Sequence, residues 1–142
     1  MKNTREHIEQ APFLNIEGLY RDLGKVIIVA PHPDDESLGC GGLIAHLSAQ
    51  NAEVCILFLT NGDASHPNSS KFPPNELGKL RKSEAINACK ILGVKEENLI
   101  FLNAGDGKLA EKFKNDDSVL NELKELFHQK APDTILAPWR RD

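Results

Sequence analysis

Two runs of consecutive apolar residues constrain this chain more than any other feature: VIIVA at Val26–Ala30 and VCILFLT at residues 54–60. Neither alternates apolar with polar, so neither suits a sheet with one face in water; both suit strands buried on two faces. Between them, residues 38–50 place Leu43, Ile44 and Leu47 on one stripe of a helix. Residues 76–92 carry Leu77, Leu80, Ala85, Ala88 and Leu92 and stop at Gly93, as a helix with a glycine terminator does. Residues 99–102 read as a third short strand. Residues 117–130 read as a helix with Leu120, Leu123, Leu126 and Phe127 on one side, and residues 134–137 as a fourth strand. This alternation predicts the α/β class: a Rossmann-like three-layer α/β/α sandwich around a mainly parallel sheet.

In such a fold, ligands bind beyond the carboxyl ends of the strands. The segments there are PHPDDE after Ala30, NGD after Thr60, NAGDG after Leu102 and PWRRD after Ala137. Residues 61–74, rich in Asn, Gly, Asp, Ser and Pro, read as a long loop. The 142 residues are expected to form one domain, 1–142, with residues 1–24 as an N-terminal extension packing on or leading into it. A net charge of -4 argues against a general nucleic-acid or anionic-membrane binder. No apolar run reaches the length of a membrane span, and the first residues lack the apolar core of a signal peptide. Cys40, Cys55 and Cys89 are odd in number and show no Cys-x-x-Cys spacing, which predicts reduced thiols and a cytoplasmic protein.

The turn after the first strand carries the chemistry. Gly39 and Gly41 fit two positions of a dinucleotide-binding fingerprint, but Ile44 stands where the third glycine belongs. Asp34, Asp35 and Glu36 would also repel phosphates, and no GKS or GKT follows to make a P-loop. A divalent-metal site explains the same residues better. His32 and a carboxylate three positions on, in a turn stiffened by Pro31 and Pro33, can converge on one ion. One of two adjacent aspartates can ligate while its neighbour takes a proton from the activated water. The helix N-terminus that follows stabilises the negative charge. The competing explanation is a helix-capping acid cluster. A cap accounts for one acid, not for three with a histidine between prolines.

PHPDDE resembles the signature, commonly AHPDDE, of the PIG-L/LmbE-like zinc-dependent N-deacetylase family, which includes N-acetylglucosaminyl-phosphatidylinositol de-N-acetylases and bacterial mycothiol-pathway deacetylases. LFLTNGD is similar to the family's second strand and Thr-x-Gly turn, and LGKLRKSEAINACKILGV to its Arg-x-x-Glu-Ala helix. LIFLNAGDG is similar to its third strand and Asp-Gly turn, and PDTILAPWRRD to its fourth strand. The resemblance runs in order and spacing over residues 25–142. It implies that His32 and Asp35 are metal ligands, that Asp34 is the general base, that Arg81 contacts substrate and that Asp106 is the turn acid near the sugar hydroxyls. Glu36 reads as a supporting or capping acid. Arg81 has a second reading, as a helix arginine paired with Glu84 on a solvated face. The implied cofactor is zinc, although His-and-carboxylate sites accept other divalent ions. The implied reaction is metal-dependent hydrolysis of an N-acetyl group on a small glucosamine-like sugar conjugate, releasing acetate.

The resemblance also implies a departure. The family draws its third metal ligand from a His-x-x-His or His-Pro-Asp-His element downstream of the fourth strand, and the other histidine there stabilises the oxyanion. This sequence ends at Asp142. The expectation is therefore a truncated member, weakly active or inactive alone, with a sugar- or partner-binding remnant as the alternative function. Of the other histidines, His7 lies in a polar N-terminal segment, His46 more than two helical turns away and His128 near a helix end, which leaves His66 as the best substitute ligand. Loss of later elements would leave the fourth strand's edge open, a condition that favours homo-oligomerisation.

Overall fold

The computed structural model describes residues 16–66, 68–107, 109–115 and 117–138. Four strands, β1 (Val26–Ala30), β2 (Val54–Phe58), β3 (Leu99–Phe101) and β4 (Thr134–Leu136), pair in parallel in the order β3-β2-β1-β4. β1 and β2 are in register from Val26 opposite Val54 to Ala30 opposite Phe58, so both central strands end at one level. The helices are α1 (Leu19–Leu23), α2 (Asp35–Ala49), α3 (Pro74–Ile91), α4 (Leu109–Asn115) and α5 (Asp117–Lys130), with a short 3-10 turn at Glu96–Asn98 leading into β3.

The period-two geometry of β1 and β2 sorts their apolar residues into two cores. Val26, Ile28, Ala30, Val54, Ile56 and Phe58 face Ile44 and Leu47 of α2 and Ala85 and Cys89 of α3. Ile27, Cys55, Leu57 and Leu59 face the other way, onto Leu109 and Phe113 of α4 and Leu123, Leu126 and Phe127 of α5. This is the expected three-layer sandwich. The chain steps outward from β1 to β3 with its helices on one face, then returns to β4 with its helices on the other, as crossovers of one hand require. Ile56, Leu57 and Phe58 are fully buried, and each contributes about 1.5–3 kcal/mol of apolar stabilisation. Phe58 also stacks on Phe101 at 4.7 Å between ring centroids, fastening β2 to β3.

Several boundaries differ from the sequence reading. β2 stops at Phe58, yet the Leu59 and Thr60 N–H groups still donate to the Ala30 and Pro31 carbonyls at 2.9 and 3.0 Å, so the extended course continues as expected. α2 starts at Asp35, ahead of the expected residue 38. α3 starts at Pro74, within the expected loop, because proline at the first helical position needs no partner for a missing N–H. Leu80 is 41% exposed, and Cys89 takes the buried place on that helix. α1 and α4 were not foreseen; at five and seven residues they are too short for a periodic signal. The three cysteines are free. Burial pushes up the thiols of Cys40, Cys55 and Cys89, the last to about 12. Among the described residues, no helix is long and apolar enough to cross a membrane. His7, most of the expected N-terminal extension and all but the proline of PWRRD lie outside the described residues.

Candidate active site at the carboxyl edge of the sheet

Beyond Ala30 the chain turns at once into α2. Asp34, the residue before that helix, has φ 127°, a conformation that costs a non-glycine residue about 1–3 kcal/mol and persists only where its surroundings enforce it. Its side chain makes no capping hydrogen bond to the helix, so helix capping does not explain this acid. The cap-like contact comes from Glu36. That carboxylate, 1% exposed, accepts the Asp34 N–H through Oε2 at 3.0 Å and the Ser37 hydroxyl through Oε1 at 2.7 Å.

The turn points its two aspartates in different directions. Asp35 folds back on His32: its Oδ2 accepts the His32 backbone N–H at 2.9 Å and lies 3.2 Å from His32 Nδ1. Asp34 instead receives Arg81, whose Nη2 donates to Asp34 Oδ2 at 2.8 Å. The imidazole's other nitrogen, Nε2, lies 3.1 Å from Asp106 Oδ1. Asp106 is itself held by the Ala64 N–H, which donates to its second oxygen at 2.9 Å. Thus the turns after β1 and β3 meet at the imidazole, and the turn after β2 holds the Asp106 carboxylate that meets it.

His32, Asp34, Arg81 and Asp106 line one open cavity of about 390 Å³, together with Ala64, Ser65 and Gly107. Asp35 faces the neighbouring crevice between β1 and β4, with Leu38, Cys40, Leu136 and Pro138. That crevice marks the point where the strand order reverses, the place where open α/β sheets bind ligands. One imidazole nitrogen and one carboxylate oxygen, side by side between the two pockets, could hold a divalent cation. Among the described residues, no group of three His, Cys, Asp or Glu side chains is arranged to do so.

The other expected residues fall out clearly. Arg81 is not paired with Glu84; besides Asp34 it bonds the Pro33 and Gly62 carbonyls. His66 is exposed, has Ser65 Oγ 3.0 Å from its Nδ1 and does not line the cavity. His46 faces the Ile16 carbonyl. The sequence reading gave no role to Thr60, whose buried hydroxyl ties the β1 turn to the β2 turn by donating to the Pro31 carbonyl at 2.9 Å. A polar residue closing the VCILFLT run was the available signal.

Fold and site together define a class: a parallel α/β protein whose first strand delivers an imidazole and two divergent carboxylates to the reversal point of its sheet. The chain belongs to the PIG-L family, whose model, described as GlcNAc-PI de-N-acetylase, matches residues 27–142. It is 32% identical over 113 residues to a probable N-acetyl-alpha-D-glucosaminyl L-malate deacetylase 2 of Bacillus subtilis, covering 78% of this chain and 49% of that protein. It is 30% identical over 119 residues to the diacetylchitobiose deacetylase of Thermococcus kodakarensis, covering 84% of this chain and 42% of that one. The structure of an N,N'-diacetylchitobiose deacetylase from Pyrococcus horikoshii, bound to an inhibitor, superposes with a TM-score of 0.74 at 26% identity, covering 97% of this chain and 51% of that one. The chain therefore spans about half the length of the curated relatives it matches.

Proposed function

We propose that this chain carries the reactive half of a metal-dependent N-deacetylase, which hydrolyses the acetamide of a glucosamine-type sugar conjugate to acetate and a free amine. The observation that carries the proposal is the His32–Asp35 pair with Asp34 turned away from it. Two donor atoms about 2.1 Å from one zinc ion, at a tetrahedral angle, stand about 3.4 Å apart; His32 Nδ1 and Asp35 Oδ2 stand 3.2 Å apart. The residues present thus fit as two ligands of a zinc site, with His32 on the cavity shared with Asp34 and Asp35 on the β1–β4 crevice. When bound there, the ion supplies Lewis-acid polarisation of the amide carbonyl and a more acidic water.

The remaining work falls to the chain's own side chains. Asp106 fixes the imidazole by holding Nε2, which leaves Nδ1 for the ligand position. Asp34 is the general base. Its Oδ2 is occupied by Arg81, and among the described residues its Oδ1 has no protein partner, so Oδ1 takes the proton of the attacking water. Asp106 forms a wall of the cavity that also holds Asp34, and a sugar entering it would lie against that wall. The names of the relatives supply the sugar class. The free thiols support a reducing, cytoplasmic setting. Acetate release from N,N'-diacetylchitobiose by the full protein is expected to stop on chelation and to return with zinc. Turnover that survives complete metal removal would contradict the proposal.

A further inference from the structure

Asp34 is gripped from two sides. On its side chain, the Arg81 guanidinium donates through Nη2 to Asp34 Oδ2 at 2.8 Å and to the Pro33 carbonyl at 2.6 Å, and through Nη1 to the Gly62 carbonyl at 3.1 Å. On its backbone, the N–H donates to the buried Glu36 carboxylate at 3.0 Å. The Asp34 carbonyl is tied to the start of α2 by the Ser37 and Leu38 N–H groups at 3.1 and 2.9 Å, so Arg81 and Glu36 are the contacts that hold its side chain and N–H against relaxation from φ 127°.

Arg81 reaches this place only because residue 62 is glycine. Gly62 has φ 64°, and a Cβ built there would overlap Arg81 Nη1 and lie 2.7 Å from Cζ. The glycine of the turn after β2 and the arginine of α3, two separate sequence elements, therefore close on each other to hold a third. We infer that Arg81 and Glu36 are positioning residues for Asp34, with Gly62 as the seat that lets Arg81 reach it. This rests on Asp34 being the proposed base, and it gives Arg81 a task other than contact with substrate. Its side chain is 17% exposed, and its planar fork spans two carbonyls and a carboxylate on two different turns. A lysine's single ammonium cannot reproduce that. The grip fixes which Asp34 oxygen faces the cavity, and misplacement of a reacting group by about 1 Å costs on the order of 100-fold in rate.

The test is hydrogen exchange of the Asp34 amide, read by NMR. It compares the unaltered protein with Arg81→Ala, Arg81→Lys, Gly62→Ala, the Gly62→Ala/Arg81→Ala double variant, Glu36→Gln and Glu36→Ala. Turnover of N,N'-diacetylchitobiose is followed in parallel. Arg81→Ala and Gly62→Ala should each speed exchange about tenfold or more, the loss of protection expected from removing charge-assisted hydrogen bonds. The double variant should be no faster than Arg81→Ala alone, and Arg81→Lys should recover only part of the protection. Glu36→Gln, which keeps an oxygen acceptor, should stay protected, whereas Glu36→Ala should not. In turnover, Arg81→Ala should lower kcat about tenfold or more and leave KM within about twofold.

Additive effects of the two substitutions, or unchanged exchange in all variants, would overturn the inference. So would a rise in KM with kcat intact, which would make Arg81 a substrate contact. The exchange arm decides without turnover, and Arg81→Ala decides if Gly62→Ala does not fold. Full turnover in Asp34→Asn would refute the base assignment while leaving the exchange result standing, so the two failures are distinguishable.

Discussion

The connections leaving β1 and β2 start side by side, at Ala30 and Phe58, and then diverge. From β1 the chain enters α2 at Asp35, through a turn that buries Pro33 and Glu36 and holds Asp34 in a strained conformation. From β2 it runs over residues 59–73 before α3 begins, and most of that stretch after Gly62 is exposed. Its hydrogen bonds there are mainly local, such as the Phe72 N–H to Ser69 Oγ and the Ser65 hydroxyl to the Gly62 carbonyl. The difference teaches where each task can be placed. Groups that must hold a fixed geometry sit on the short turn, where buried contacts enforce strain. The long loop borders the same cavity through Ala64 and Ser65 and is free to vary.

The largest expected effect lies on the short turn. Asp34→Asn should lower acetate release roughly 10²–10⁴-fold, the usual worth of a general base, with the fold intact by circular dichroism. Next comes Glu36→Ala, which leaves the Asp34 N–H and the Ser37 hydroxyl without their buried acceptor. It should cost about 2–4 kcal/mol in denaturant unfolding, and a loss below 0.5 kcal/mol would dissolve the contrast between the two connections.

A smaller effect sharpens the same point through Cys89, buried on α3. Burial first, and then the Glu36 charge, push its thiol up to about 12 from 9.0. A group whose folded pKa is raised contributes stability that is full below its unfolded pKa and is lost as pH climbs toward the folded one. The stability difference between the unaltered protein and Cys89→Ala should therefore be constant below pH 9 and shrink from there toward about 12. Glu36→Gln should let the thiol ionise at lower pH, read by its absorbance. The smallest effect is expected on the long loop: His66→Ala should change stability by less than about 0.5 kcal/mol and leave metal affinity unchanged. A large loss of metal affinity there would make His66 a ligand and reverse the roles of the two connections.

How much of this was legible in the sequence follows from the range of each interaction. β1, β2 and the layer plan were legible because unbroken apolar runs in Val26–Ala30 and Val54–Phe58 admit little else than two-sided burial. The convergence of His32 and Asp35 was legible because three residues of one tight turn separate them. Arg81 was not. Its local partner, Glu84, satisfied the helix rule, while its actual partner lies 47 residues away across two turns. Asp106 against His32 was hidden for the same reason, since the approach of β1 and β3 turns depends on sheet order and not on local spacing. Glu36 was legible as a supporting or capping acid, but its burial was not: nothing in PHPDDE distinguishes a buried acid from an exposed one.

The central claim is that His32 and Asp35 together hold the metal. Zinc titration of metal-free protein, with Asp35→Ala beside it, tests this most directly. The account expects the variant to bind zinc about 100-fold more weakly or worse, beyond the 10–100-fold typical of losing a mere supporting contact. Equal affinity in the two proteins would contradict it.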